Sequence, residues 1–256
     1  MDNRIDLPIA VIDSGVGGIS VLSELVKIMP DERFLYFGDT KNAPYGTKSR
    51  AEVLEITKNN LEILKKRGIK ALVVACNTAT SAAVRILREE NPDLTIVGIE
   101  PAIKPASRLS DTPRVLVMAT PLTLKEEKFQ NLVNRFSGDG EFISLPCPGL
   151  MELVETGELE SDEIKNYLRN LFAPYLDQKI DGIVLGCTHY PHVRNVIDEI
   201  WNGKVAILEG GEGTARETRR RLAEKGLLRS GAGEIEIINT KGDAKMIEIA
   251  KKLLHT

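Results

Sequence analysis

The chain has 256 residues, 42% hydrophobic and 28% charged, which allows a sizeable buried core and does not match a disordered composition. Its 34 Lys and Arg against 37 Asp and Glu leave a net charge of −3, so no overall positive field recruits nucleic acid or an anionic membrane, and a small-molecule partner is expected. No apolar run approaches the roughly 18 residues of a membrane-spanning helix, and three cysteines are too few, and odd in number, for a disulfide framework.

Met1-Asp2-Asn3-Arg4-Ile5-Asp6 lacks the apolar stretch of a signal peptide, so a cytoplasmic protein with free thiols is expected. Along the chain, short aliphatic runs alternate with longer amphipathic stretches, which predicts an α/β fold of βα units on mainly parallel sheets. The predicted strands are 8–12, 34–37, 71–75, 95–99, 115–119, 141–145, 182–185, 205–208 and 234–238. Most are apolar throughout, as strands covered on both faces are. Predicted helices occupy 19–29, 51–67, 80–90, 161–177, 191–201, 212–225 and 244–254, with stops at Pro30, Gly68, Pro92 and Gly226. Segment 101–114 carries Pro101, Pro105 and Pro113 after the fourth strand, and is the expected domain junction.

One internal echo stands out. Ala71-Leu-Val-Val-Ala-Cys76-Asn77-Thr78 and Gly182-Ile-Val-Leu-Gly-Cys187-Thr188-His189 are each an apolar strand ending in Cys, followed by polar residues able to cap a helix. Ligands bind at the carboxyl ends of strands in open α/β sheets, so two thiols in matched contexts point to an active site between the two halves of the chain. A lone strand-end Cys is ordinarily a small buried apolar residue. Cys147, between Pro146 and Pro148, keeps that ordinary reading.

The first strand runs into Asp13-Ser14-Gly15-Val16-Gly17-Gly18, which suits a structural glycine turn or a site for a small carboxylate or ammonium group. A dinucleotide site, with Asp39 as its ribose acid, is the poorer reading: Ser20 stands at the third glycine position and Asp13 would face the pyrophosphate. Cys187, His189 and His192 form an incomplete metal set interrupted by Pro191, and no metal is expected. His189 is the expected proton-transfer or charge partner of the nearby thiol. His192 and His255 read as ordinary helix or surface residues, and Arg219-Arg220-Arg221 as an ion-paired helix face with Glu217 and Glu224.

Taken together, Asp13-Ser14-Gly-Val-Gly-Gly, Gly38-Asp39-Thr40, Pro44-Tyr45-Gly46, Ala75-Cys76-Asn77-Thr78-Ala79 and Gly186-Cys187-Thr188-His189-Tyr190-Pro191 resemble the glutamate racemase family in order and spacing over most of the chain. The resemblance implies two pseudo-symmetric α/β domains facing across a cleft, residues 1–98 with 209–256 and residues 99–208. It also implies cofactor-independent interconversion of L- and D-glutamate, supplying D-glutamate for peptidoglycan. Cys76, partnered by Asp13, would act on D-glutamate, and Cys187, partnered by His189 and Glu155, on L-glutamate. Asp13, Ser14, Asp39, Pro44, Tyr45, Gly46, Asn77, Thr78, Thr188 and His189 align with substrate-binding positions, as do Thr120 and Thr123 where the chain departs from the family's pattern at Leu122. A homodimer is among the assemblies the resemblance allows. The alternatives are a racemase of aspartate or another acidic amino acid, and a non-catalytic amino-acid-binding regulator on the same fold. Aspartate racemases usually carry Glu where this chain has His189.

The chemistry of inversion agrees with two thiols. One group must remove the α-proton from one face and another must return a proton to the opposite face. A free Cys has a pKa of about 8.5, so a nearby base or an electropositive helix terminus must raise its thiolate fraction.

Overall fold

The computed structural model describes residues 4–138 and 140–254; Met1, Asp2, Asn3 and His255 lie outside the described residues. In chain order the first half is β1 (Ile9–Asp13), α1 (Ile19–Ile28), β2 (Arg33–Gly38), α2 (Arg50–Arg67), β3 (Ala71–Val74), α3 (Asn77–Glu90) and β4 (Thr95–Gly98), with a 3-10 turn at Tyr45–Thr47. There follow α4 (Ile103–Ala106), β5 (Arg114–Ala119), α5 (Pro121–Lys125), α6 (Glu127–Phe136), β6 (Glu141–Pro146), α7 (Leu150–Glu155), α8 (Asp162–Phe172) and β7 (Gly182–Leu185). A 3-10 turn at Tyr190–Val193 leads to α9 (Arg194–Trp201) and β8 (Ala206–Glu209), and the chain ends in α10 (Gly211–Glu224), β9 (Glu234–Asn239) and α11 (Ala244–Leu254). These elements form two compact units, Met1–Glu100 with Gly211–Thr256, and Pro101–Gly210.

The first unit holds a five-stranded sheet in the order β4-β3-β1-β2-β9, and every neighbouring pair is parallel. The registers Asp13↔Gly38 and Ile12↔Val74 bring the carboxyl ends of β1, β2 and β3 level. Val53, Leu61 and Leu64 of α2 and Ala82, Ala83 and Leu87 of α3 pack with Ala10, Ile12, Leu72 and Val74 of the sheet. Each fully buried aliphatic side chain there contributes on the order of 1.5–3 kcal/mol. α1 packs on α10 and α11.

The second unit repeats the plan with four parallel strands ordered β6-β5-β7-β8. Leu150 and Val154 of α7, Leu168 and Phe172 of α8, and Ile197 and Trp201 of α9 pack with Leu116, Ile183 and Leu185 of the strands. Phe129 of α6 packs elsewhere, with Val115, Val117 and Val184. β5, β6, β7 and β8 thus repeat β1, β2, β3 and β4. In each sheet the connections leave the first strand to one side and then cross to the other, so the topological switch points lie between β1 and β3 and between β5 and β7.

All nine strands fall where the aliphatic runs predict them. The helices differ more. Residues 161–177 do not form one helix: α8 stops at Phe172, because Pro174 has no N–H to continue the ladder. α3 starts at Asn77 rather than Thr80, because Cys76 itself is the extended cap and its carbonyl accepts from Thr80 N at 2.9 Å. The helices α4 to α7 were not expected from periodicity. Among the described residues no helix is long and apolar enough to cross a membrane. Arg220 and Arg221 pair with Glu217, and Arg220 also with Glu224, as a solvated face requires.

Candidate active site

In the first unit the candidate residues gather at the β1/β3 switch point. Asp13 closes β1 and is fully buried; its Oδ2 accepts from Gly15 N at 3.1 Å. The turn that follows is pinned from β2, where Tyr36 Oη donates to Gly15 O at 2.8 Å. Gly18 is required by close approach, since a Cβ there would lie 2.6 Å from Asp13 Cβ. Ser14 and Cys76 are both buried, with Cys76 Sγ 4.0 Å from Ser14 Oγ.

Cys76 follows β3 and caps the 14-residue helix α3, so its sulfur stands at the end where unpaired backbone N–H groups and the helix dipole favour negative charge. Asn77 and Thr78 form the first turn of that helix and are buried. Asn77 Oδ1 is buried and finds no hydrogen-bond partner among the described residues. A buried acceptor left in that state costs free energy, and a ligand N–H group would relieve it.

Asp39 follows β2, and Tyr45 begins the 3-10 turn after Pro44; both are buried, and Gly46 lies within the same turn. Tyr45 Oη donates to Asp39 Oδ2 at 2.6 Å. Burial is the main reason that Tyr45 holds its proton far above the ordinary tyrosine range, with the nearby Asp39 next and Cys76 and Asp13 adding to it. The phenol, Asp39, Cys76 and Asp13 are therefore electrostatic neighbours.

In the second unit Cys187 stands just beyond β7. Gly186 precedes it, where a Cβ would lie 2.8 Å from Met118 O of β5. Cys187 Sγ is 3.6 Å from His189 Nδ1, and His189 Nε2 is 3.1 Å from Glu155 Oε1 at the end of α7. His189 is 1% exposed, whereas the Glu155 side chain keeps 22% of its surface, so the row runs from a buried thiol through a buried imidazole to a partly wet carboxylate. Such a row passes a proton or stabilises an imidazolium. Thr188 is buried beside Cys187. Thr120 and Thr123 lie after β5, where Thr120 caps α5: its hydroxyl accepts from Thr123 N at 3.2 Å and lies 2.9 Å from Thr123 Oγ1.

Cys147 is different. Its thiol is buried and lies 3.2 Å from Leu145 O, and burial above all, with Cys187 next, pushes it up to about 12. It is a neutral core thiol. His192 sits in the 3-10 turn, where its N–H donates to His189 O at 3.2 Å. Among the described residues no group of three or more His, Cys, Asp or Glu side chains is arranged to hold a metal ion.

Sequence reasoning missed Tyr36, Asn42, Asn60 and Thr240, which hold the candidate residues in place. Asn60 carried a readable signal, because it interrupts the buried stripe Val53, Thr57, Leu61 and Leu64 of α2 with an amide. Asn42 lies only three residues from Asp39 in the same loop, whereas Tyr36 and Thr240 needed the sheet topology.

The profile of the Asp/Glu/hydantoin racemase family matches residues 9–218. The chain is 48% identical to a glutamate racemase of Clostridium perfringens, over 99% of this chain and 98% of that protein. Among solved structures, a glutamate racemase isoform of Bacillus anthracis superposes with a TM-score of 0.87 at 30% identity, covering 98% of this chain and 94% of that one. A glutamate racemase of Francisella tularensis, in complex with D-glutamate, superposes with a TM-score of 0.84 at 27% identity, covering 98% and 95%.

Proposed function

We propose, since this chain belongs to the Asp/Glu/hydantoin racemase family and its relatives are glutamate racemases, that it interconverts L- and D-glutamate with Cys76 and Cys187 as the two acid/base groups. The observation that carries this reading is that each sheet places a buried cysteine two residues past its third strand, at its switch point: Cys76, 4.0 Å from Ser14 Oγ, and Cys187, 3.6 Å from His189 Nδ1. In the D-to-L direction the Cys76 thiolate takes the α-proton, and the Cys187 thiol gives its own proton to the opposite face. The enzyme is left with a Cys76 thiol and a Cys187 thiolate, which is the form that accepts L-glutamate. Microscopic reversibility makes the other direction the same path run backwards.

Asp13 serves as proton partner of Cys76, and His189 with Glu155 as that of Cys187. No electron sink is needed if donors stabilise the charge that spreads from the α-carbon into the carboxylate. Ser14, Asn77, Thr78, Thr188, Thr123 and the Pro44-Tyr45-Gly46 loop supply groups for the carboxylates and the ammonium. The unpartnered Asn77 Oδ1 suits the ammonium. Each hydrogen bond to a charged group contributes on the order of 1.5–3 kcal/mol, so a few converging ones order a small flexible substrate. Three free thiols fit a cytoplasmic enzyme that supplies D-glutamate to peptidoglycan synthesis, and a homodimer fits the same reading.

Polarimetry tests it. The purified, reduced protein without added cofactor brings L-glutamate and D-glutamate separately to zero rotation, and acts on L-aspartate far more slowly. Constant rotation with glutamate and decay with aspartate would move the substrate to the shorter acid; no decay with either would leave the amino-acid-binding regulator.

A further inference from the structure

Asp39 has its hydrogen-bonding capacity taken up within its own unit. It is 0% exposed, and four side chains donate to its carboxylate. Tyr45 Oη reaches Oδ2 at 2.6 Å and Asn60 Nδ2 reaches the same oxygen at 2.9 Å. Asn42 Nδ2 spans both oxygens at 3.1 and 3.0 Å, and Thr240 Oγ1 donates to Oδ1 at 2.8 Å. A carboxylate offers about four lone-pair sites, so a substrate donor could bind Asp39 only by displacing one of these groups.

Two of the donors, Asn60 and Thr240, come from distant parts of the chain. Asn60 lies on α2 and also donates to Tyr45 Oη at 3.2 Å, so the phenol gives its proton to Asp39 while accepting from Asn60. Thr240 lies just past β9. Its hydroxyl accepts from Lys41 N at 2.9 Å as it donates to Asp39, and its own N–H donates to Gly38 O at 3.0 Å. The C-terminal return strand is thereby tied to the start of the segment that leads from Gly38 to Tyr45, at Gly38, Asp39 and Lys41, and Asp39 passes the tie on to Tyr45.

We propose that Asp39 is a positioning residue and not a substrate contact, and that Asp39, Asn60 and Thr240 together fix the Pro44-Tyr45-Gly46 loop in its substrate-binding form. The assignment rests on the glutamate racemase reading above. It gives the segment after β9 a role in affinity for glutamate although none of its residues belongs to the candidate site. The loop binds parts of the substrate common to both enantiomers, so loosening it weakens L- and D-glutamate alike and leaves proton transfer between each thiol and the α-carbon largely intact.

Thr240→Val keeps the side-chain shape and deletes the hydroxyl; Thr240→Ser restores it. In Thr240→Val, KM for both enantiomers rises together by roughly three- to tenfold, while kcat changes by less than about twofold. Amide hydrogen exchange of the peptide covering 40–48 speeds up by a similar factor, and that of 71–90 does not. Thr240→Ser returns both readings to the parent values. Should Thr240→Val fail to fold, Asn60→Ser removes the other long-range donor and gives the same two readings. Unchanged KM and unchanged exchange in a folded Thr240→Val protein would overturn the proposal, as would an Asp39→Asn variant whose KM rises steeply while exchange of 40–48 stays at the parent rate. If the parent protein does not racemise glutamate, the functional reading fails by itself, and the exchange comparison still decides whether Thr240 holds the loop.

Discussion

Glu155→Gln probes the outermost member of the Cys187–His189–Glu155 row. The amide can still hydrogen-bond His189 Nε2, now 3.1 Å from the carboxylate oxygen, but the negative charge that stabilises an imidazolium is gone. A hydrogen bond to a charged group contributes on the order of 1.5–3 kcal/mol, which corresponds to about 10- to 150-fold in rate. The Glu155 side chain keeps 22% of its surface, so solvent screens it and the loss falls near the lower end, about tenfold in kcat/KM. His189→Asn removes the group that meets the sulfur and costs more, on the order of 10²- to 10⁴-fold. The enantiomers have equal free energy, so each variant must lose kcat/KM equally in both directions. Circular dichroism of L- and D-glutamate time courses measures this. If Glu155 acts through His189, the double variant is no slower than His189→Asn alone. A double variant whose loss is the product of the two single losses, or a Glu155→Gln enzyme at the parent rate, would refute the row as the proton path of Cys187.

The neighbouring thiol should behave differently. Because Cys147 is held as a thiol up to about 12, peptide mapping after iodoacetamide treatment near pH 8 should find Cys147 unmodified when Cys76 and Cys187 are already alkylated; early labelling of Cys147 would contradict its place in the core. The first unit is stapled by a fully buried ion pair, Lys70 Nζ 2.5 Å from Glu32 Oε2, whose partners also hold Leu227 O and Arg229 N of the returning chain. Lys70→Met leaves Glu32 buried without its cation and should lower unfolding free energy by about 3–5 kcal/mol in urea titration, whereas Lys70→Met with Glu32→Leu should recover most of it.

Strands were legible because most are short aliphatic runs, and β1, β3 and β7 are buried throughout whereas β6 and β9 are largely uncovered, so β3 and β7 announce themselves together with the cysteines that follow them. The short helices were not: α5 and α7 span five and six residues, too few for a period to show. α6 could have been found, since Phe129, Leu132, Val133 and Phe136 recur at helical spacing beneath a charged exterior. The site was legible where it clusters in short strings, as in Asp13-Ser14 and Cys187-Thr188-His189. It was hidden where partners meet only through the sheet, as Thr240 meets Asp39 from 201 residues away. Glu155 belongs between these cases, for family resemblance named it and local pattern alone offered nothing to pair it with His189.

The central claim is that two thiols act on opposite faces of one α-carbon, and α-deuterium exchange in D₂O addresses it most directly. The parent protein should lose optical rotation from either enantiomer while both become α-deuterated. Cys187→Ala should not racemise and should deuterate only D-glutamate, through Cys76; Cys76→Ala should deuterate only L-glutamate. Racemisation near the parent rate by either single-thiol variant, or exchange of both enantiomers through one remaining thiol, would contradict the two-base account.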